Sequence, residues 1–292
     1  MALPTQHATP VPGATSVSGV PAGGQERFAF GRNWQKFLSS VSEERIAVAQ
    51  ESLSSMLQVT SLAGKSFLDI GTGSGLFSLA AIRLGATRVH SFDFDHESVA
   101  CARQLKARYF AQAPNWVIEQ GSALDEAYLS ALGTFDVVYA WGVLHHTGSL
   151  FQALENTCRR VAPGGKLFVA VYNDEGLRSR LWRAVKVRYC RSLAWRLPIV
   201  LGFGSYFSAK GLVKDLALLR NPFSRYRSYK TQRGMSYFTD LLDWLGGFPF
   251  EVAKPGDVID ACCARGFVLT KLKTPLQPKG NNEYVFARIE PR

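Results

Sequence analysis

The chain has 292 residues, 47% of them hydrophobic and 20% charged, a balance that supports a sizeable core and excludes a disordered protein overall. Its net charge of +11 is concentrated: fourteen Lys and Arg between Arg178 and Arg233 are opposed by Asp215 alone, so this segment carries +13 and the remainder −2. Five cysteines, an odd number without a CxxC pair, argue against a disulfide framework or a zinc cluster and for a reducing, cytoplasmic setting.

Residues 1–25 are rich in Pro, Gly, Ser, Thr and Ala and lack the basic start and apolar centre of a leader peptide; a disordered tail is expected. An aromatic cluster follows, Phe28, Phe30, Trp34 and Phe37. Ser40 and Glu43 have the spacing of a capping box, and Ile46, Ala49, Leu53, Met56 and Leu57 recur at helical spacing, which predicts a helix. Ser66–Ile70 reads as a buried strand running into a glycine-rich turn and a helix that stops at Gly85. Further strands are predicted at 88–92, 116–119, 135–140 and 166–171, with helices over 95–107 and 150–161, the latter broken by Pro163-Gly164-Gly165. After a long interval, a helix over 255–265 and strands at 267–273 and 284–289 complete the pattern.

Strands alternating with helices imply an α/β, doubly wound, mostly parallel sheet of seven strands, whose ligands bind at the carboxyl edge. The expected organisation is a tail (1–25), N-terminal lid helices and a cofactor-binding core (26–172), a basic helical insertion after the fifth strand (173–250) and the end of the core (251–292). The insertion interleaves its cations with Leu181, Trp182, Val185, Val187, Tyr189, Leu193 and Trp195 and continues into an apolar run over 197–207. It is too interrupted to span a bilayer. Three readings stand: a basic helical lid packed on the core, a basic face that meets an anionic substrate or the surface of an anionic membrane, or a basic patch that binds nucleic acid.

The first strand leads into Asp69-Ile70-Gly71-Thr72-Gly73-Ser74-Gly75-Leu76. Glycines there permit a tight turn and close approach of backbone to a ligand. A dinucleotide fingerprint requires glycine at position 76; Leu76 stands there, which disfavours a nicotinamide cofactor. Asp93 ends the second strand about twenty residues past the loop, where a carboxylate can accept both ribose hydroxyls. Phe94 can lie on a purine face or serve as a core aromatic, and Asp95 reads as the N-cap of the next helix.

Taken together, 67–75, 89–95, Gly121-Ser122-Ala123-Leu124-Asp125, 135–139 and 161–167 resemble the motifs of class I S-adenosylmethionine (SAM)-dependent methyltransferases. The resemblance implies that Gly71, Gly73 and Gly75 line the methionine portion of SAM, Asp69 contacts its amino group, Asp93 holds the ribose, and Ser122 and Ala123 border the adenine. Trp141 joins this cofactor-binding set at the end of the fourth strand.

The loop after that strand, Trp141-Gly142-Val143-Leu144-His145-His146-Thr147, is neither the Asn/Asp-Pro-Pro-Tyr motif of nucleic-acid amino-methyltransferases nor a Pro-Cys nucleophile, so a nucleic-acid acceptor is not expected. It is similar to the Leu-Glu-His-Val loop of the ubiquinone-pathway polyprenyl-hydroxyphenol O-methyltransferases. His146 matches the histidine of that loop, and His145 replaces its glutamate, removing a carboxylate that would assist a metal. The expected reaction is methyl transfer to a small or lipid-like acceptor, at a hydroxyl oxygen, with His146 or His145 as general base and no metal. Transfer to a small thiol and a non-catalytic SAM-binding regulator are the alternatives.

Overall fold

The computed structural model describes residues 34, 38, 41–111, 114–218, 221, 245–275 and 280–290. The expected tail, Phe28, Phe30, Phe37 and Ser40 lie outside the described residues. Seven strands form one sheet in the order β3-β2-β1-β4-β5-β7-β6. They are β1 (Ser66–Ile70), β2 (Arg88–Asp93), β3 (Trp116–Gln120), β4 (Phe135–Trp141), β5 (Val161–Tyr172), β6 (Phe267–Lys273) and β7 (Asn281–Arg288). The first five are parallel, and β7 is inserted antiparallel between β5 and β6. The parallel strands are joined through α2 (Leu76–Arg83), α3 (His96–Phe110), α4 (Glu126–Ala131) and α5 (Leu150–Cys158). An N-terminal α1 (Glu43–Leu57) precedes the sheet.

The pleat divides the core into two layers. Phe67, Val89, Val137, Tyr139, Phe168 and Val285 face one side with α1, α2 and α3. Leu68, Ile70, Phe92, Val138, Leu167, Val169 and Phe286 face the other, with α5 and the late helix α8 (Pro255–Cys263). Near-continuous apolar runs in the central strands follow from burial on both faces.

Several boundaries differ from expectation for local reasons. The first helix is capped by Ser42, which accepts the Arg45 N–H at 3.5 Å, because Val41 already turns into the core. Helix α4 was not expected; it is one short turn and a half, begun where Asp125 accepts the Tyr128 N–H. Strand β5 starts at Val161 and runs through Pro163-Gly164-Gly165, since a register shift between Phe135 and Val137 absorbs those residues as a bulge.

After β5 the chain forms α6 (Leu177–Arg191) and α7 (Leu193–Ala217). Tyr189, Cys190, Leu245 and Phe248 make a third, smaller core there, with Trp182 and Phe203 packed against it. Lys186 does not face solvent, as its place among the cations implied; it is 2% exposed, with its ammonium 5.1 Å from the Phe250 ring centroid. By contrast Leu193, Leu197 and Leu201 on α7 are 59–77% exposed. Among the described residues no helix is long and apolar enough to cross a membrane.

Candidate active site

The loop after β1 is shaped by three left-handed glycines, Gly71 (φ 72°), Gly73 (φ 53°) and Gly75 (φ 81°). A side chain at Gly71 would collide with Val143, and one at Gly73 would meet the Trp34 indole at 2.8 Å. The absent side chain of Gly75 instead admits Ala102 of α3, so this glycine serves helix packing. The loop is tied to the neighbouring strand: the Gly71 and Thr72 N–H groups both donate to the Phe92 carbonyl.

Asp69 belongs to the face of β1 that points at α2. It is buried, and its Oδ2 accepts from the hydroxyls of Thr72 (2.7 Å) and Ser78. Ser78 reaches Ser91 (2.7 Å), which accepts the Trp116 indole N–H at 2.8 Å. The network clamps the glycine loop to its helix. Burial raises the Asp69 carboxyl to about 6.

Asp93 stands at the end of β2. Its Oδ2 accepts the Gly73 N–H and its Oδ1 the Asp95 N–H, each at 2.9 Å. Burial raises its pKa to about 6 against the lowering effect of those two donors. Each oxygen keeps a second lone pair for a ligand hydroxyl. Asp95 caps α3 by accepting the Glu97 N–H. Phe94 is 45% exposed beside it. After β3, the Ser122 hydroxyl accepts the Leu124 N–H, while Ala123 is buried and its carbonyl accepts the Asn156 amide.

The loop after β4 touches this constellation through Val143 on Gly71 and then forms a turn of 3₁₀ helix, Leu144–His146. His146 is half-buried, and its Nδ1 donates to the Pro249 carbonyl at 2.6 Å, which leaves Nε2 as the lone-pair nitrogen of the neutral ring. Burial, aided by the nearby Lys186 charge, lowers its pKa to about 4. His145 is fully buried, and neither ring nitrogen has a hydrogen-bond partner among the described residues. Burial, His146 and Lys186 hold it well below the usual histidine range. Tyr172, the last residue of β5, connects the two: its ring centroid lies 3.9 Å from that of His145 and 5.7 Å from that of His146. The Phe250 ring is tilted against that of Tyr172, with centroids 5.4 Å apart. Burial lowers Lys186 to about 8.

The structure thus brings Asp69, Gly71, Gly73, Asp93 and the histidine loop to one edge of the sheet. Trp141 turns toward the β6–β7 hairpin, where it lines a cleft with Tyr172 and Asn281. Tyr172, Lys186, Pro249, Phe250 and Asn281 were not singled out as site residues. Tyr172 was discoverable as the residue ending a strand at the ligand edge; the others depend on long-range packing.

A parallel five-stranded core closed by an antiparallel seventh strand, with a glycine loop clasped by an acid on the adjacent strand, defines the class I methyltransferase fold. The family described as methyltransferase domain matches residues 41–218, more than half of the chain, and the chain belongs to it. SAM is its cofactor, and the loop fits it: left-handed Gly71 and Gly73 bend the backbone tightly at the strand end, and Asp93 retains acceptor capacity beside them. The ubiquinone biosynthesis O-methyltransferase of Parvibaculum lavamentivorans is 32% identical over 135 residues, covering 44% of this chain and 47% of that one. The ribosomal protein L11 methyltransferase of Pelobacter propionicus is 36% identical over 130 residues, covering 44% and 38%. The chain therefore spans less than half the length of either relative. A magnesium protoporphyrin IX methyltransferase from Synechocystis, solved with bound SAH, shares the fold at a TM-score of 0.51 and 15% identity, over 88% of this chain and 94% of that one.

Proposed function

We propose that this protein transfers the methyl group of SAM to a hydroxyl oxygen of a small or lipid-like acceptor, with His146 as general base. The observation that carries this reading is the pair of contacts that fixes the histidine loop: Val143 on Gly71 at one end and His146 Nδ1 on the Pro249 carbonyl at the other. The first packs the loop against Gly71; the second favours the tautomer in which Nε2 carries the ring's lone pair, which supports the reading of His146 as base.

SAM supplies an activated methyl group when bound, and the remaining work is orientation and proton removal. Asp93 and the glycine loop hold the donor, and Asp69 keeps the loop in shape and stands where the donor's amino group is expected. A histidine lowered to about 4 is neutral throughout the physiological range, so its base form is always populated. Its weak basicity suits late proton transfer, after the acceptor oxygen has become acidic by forming its new bond to carbon.

The relatives named above act on different acceptor types, which leaves the acceptor as a proposal about this chain's own residues. The basic α6 and the exposed leucines of α7 support a working position on an anionic membrane surface facing the cytoplasm, with a lipid-like acceptor drawn from it. The deciding experiment is a labelled-methyl assay with purified protein against lipid-soluble phenols, simple thiols and RNA. Label appearing on phenols supports the reading; label on thiols alone removes the oxygen acceptor, and label on RNA alone removes the small or lipid-like one.

A further inference from the structure

We propose that Glu251 is a positioning residue for His146: it grips the 3₁₀ turn with its backbone and the start of α5 with its carboxylate, and so holds the ring between them in one orientation and one tautomer. The proposal rests on the reading of His146 as base and names what keeps that base in place.

The need for such a residue arises in the local sequence. Leu150 opens α5 soon after the turn, and the first N–H groups of a helix have no partner inside it. Ser149 occupies the N-cap, yet its hydroxyl makes no capping hydrogen bond, and the first turn of α5 has no acid of its own. Glu251 supplies the cap from 101 residues further along: its Oε2 accepts the Leu150 N–H at 3.0 Å. A carboxylate suits this place, where a helix carries partial positive charge. The Gly148 N–H donates to the same carboxylate, and the Arg183 charge of α6 acts on it too. Burial outweighs these three and raises its pKa above the ordinary value.

The backbone of Glu251 holds the turn itself, its N–H donating to the His145 carbonyl at 3.0 Å. Two residues earlier, the Pro249 carbonyl accepts His146 Nδ1 at 2.6 Å. Two residues later, the Ala253 N–H donates to the Tyr172 carbonyl at 3.0 Å. Residues 249, 251 and 253 therefore bind, in turn, the ring of His146, the backbone of His145 and the end of β5. His146 lies between the two attachments of the middle residue.

This segment is the return of the insertion to the sheet. Just before it, Leu245 and Phe248 pack with Tyr189 and Cys190 of α6, and the Gly246 carbonyl accepts the Cys190 thiol at 3.4 Å. The carbonyl that sets the histidine tautomer is thus carried by one part of the chain and the histidine by another. The Glu251 carboxylate fastens the first to the start of α5, beside the second. Without it, Pro249 and the turn are free to shift against each other, and a hydrogen bond of 2.6 Å does not survive a displacement of about 1 Å. A shift of that size at a reacting group costs about a hundredfold in rate.

The test uses the full chain and long-range proton–nitrogen NMR of the histidine rings, with the His146 signals assigned by their loss in His146→Gln. The wild type is expected to show one tautomer, its proton on Nδ1. Glu251→Ala is expected to show a mixture of tautomers at His146, with S-adenosylhomocysteine affinity and the backbone amide spectrum of the sheet unchanged. Glu251→Gln keeps an acceptor for Leu150 and is expected to restore the single tautomer. Glu251→Asp keeps the charge but falls short by one bond; it is expected to behave as Glu251→Ala and is read in its place should the alanine variant not fold. With catechol as acceptor, kcat is expected to fall by about 10–100-fold in Glu251→Ala with KM for SAM unchanged, and by about fivefold or less in Glu251→Gln. A single Nδ1 tautomer in both Glu251→Ala and Glu251→Asp, or a loss that glutamine does not reverse, overturns the positioning role. A wild-type proton on Nε2 overturns it as well, by removing the bond to Pro249. Turnover unaffected by His146→Ala overturns the base reading, and the tautomer spectra separate that failure from failure of the grip.

Discussion

Asp93 Oδ2 accepts the Gly73 N–H at 2.9 Å, so the acid that ends β2 also holds the loop that follows β1. One carboxylate therefore shapes the cradle, and in the proposed site it also offers lone pairs to the ribose. Removing it is expected to weaken SAM binding by about 1.5–3 kcal/mol, the scale of a charge-assisted hydrogen bond, in calorimetry of Asp93→Ala. Asp93→Asn retains an acceptor for Gly73 and should lose less. Equal affinities for wild type and Asp93→Ala would remove Asp93 from the cofactor site.

The same residue makes cofactor binding pH-dependent. Its pKa is raised to about 6 in the free protein, and the ionised form is the one proposed to accept ribose hydroxyls. Affinity should be flat above about pH 7 and fall as pH drops through 6, by about tenfold for each further unit. Calorimetry between pH 5 and pH 8, on the scale of that titration, checks it. Affinity that stays constant down to pH 5 contradicts the assignment.

Gly71 tests the link between the two loops. At φ 72° a side chain is strained, and there it would also strike Val143. Gly71→Ala is expected to lower stability by about 2–4 kcal/mol, from left-handed backbone and overpacking together, and to impair SAM binding. Trimming the neighbour in Gly71→Ala/Val143→Ala should recover the overpacking part in denaturant melts. A double variant no more stable than the single one would mean the clash is not the cause.

Much of this fold is legible along the chain because its signals are local. Alternating strands and helices, the turn at Gly71-Thr72-Gly73, the acid ending β2 and the Asp95 cap each need only a few neighbouring residues. The insertion shows where locality stops. Counting charges places Lys186 with Arg180 and Arg183, yet Lys186 lies on the inner face of α6 against Phe250. Pro249 fixes His146 across 103 residues of sequence, and Asn281 meets Tyr172 only through the register of an antiparallel strand. No local pattern encodes those contacts. The 3₁₀ turn likewise buries His145 completely while leaving His146 half-buried, a distinction two adjacent identical residues cannot reveal in sequence.

His146→Ala should lower turnover by about 10²–10⁴-fold with SAM affinity nearly intact, as for loss of a general base. The pH profile is the sharper readout. Because burial lowers this histidine to about 4, its base form persists above that value and is lost only as pH falls through it. The wild-type rate at saturating SAM should show no histidine-dependent limb between pH 6 and pH 8. A limb near 6.5 that vanishes in His146→Ala would show an ordinary, solvated histidine in its place. Turnover unaffected by His146→Ala moves the proton acceptor to another group.

The proposed membrane position rests on α6 and α7 and is tested by flotation with liposomes. Arg180, Arg183, Arg188 and Arg191 line one groove of about 670 Å³ with Trp195, and Leu193, Leu197 and Leu201 lie exposed on the adjoining helix. Cations beside exposed leucines match a surface of anionic headgroups over acyl chains, in which each basic residue contributes about 1 kcal/mol. Vesicles containing phosphatidylglycerol should therefore bind the protein, and vesicles of phosphatidylcholine alone should not. Replacing Arg180, Arg183 and Arg188 by Gln should weaken binding by about a hundredfold, and raising salt should do the same to the wild type by screening. Serine at Leu193, Leu197 and Leu201 should reduce the part of the binding that salt does not remove. Lys186 serves as the internal control: buried against Phe250, it has no headgroup to meet, so Lys186→Gln should leave the salt-sensitive component in place. Wild-type protein that ignores phosphatidylglycerol vesicles even at low salt rules out the membrane position. The arginine groove would then belong to a soluble anionic partner.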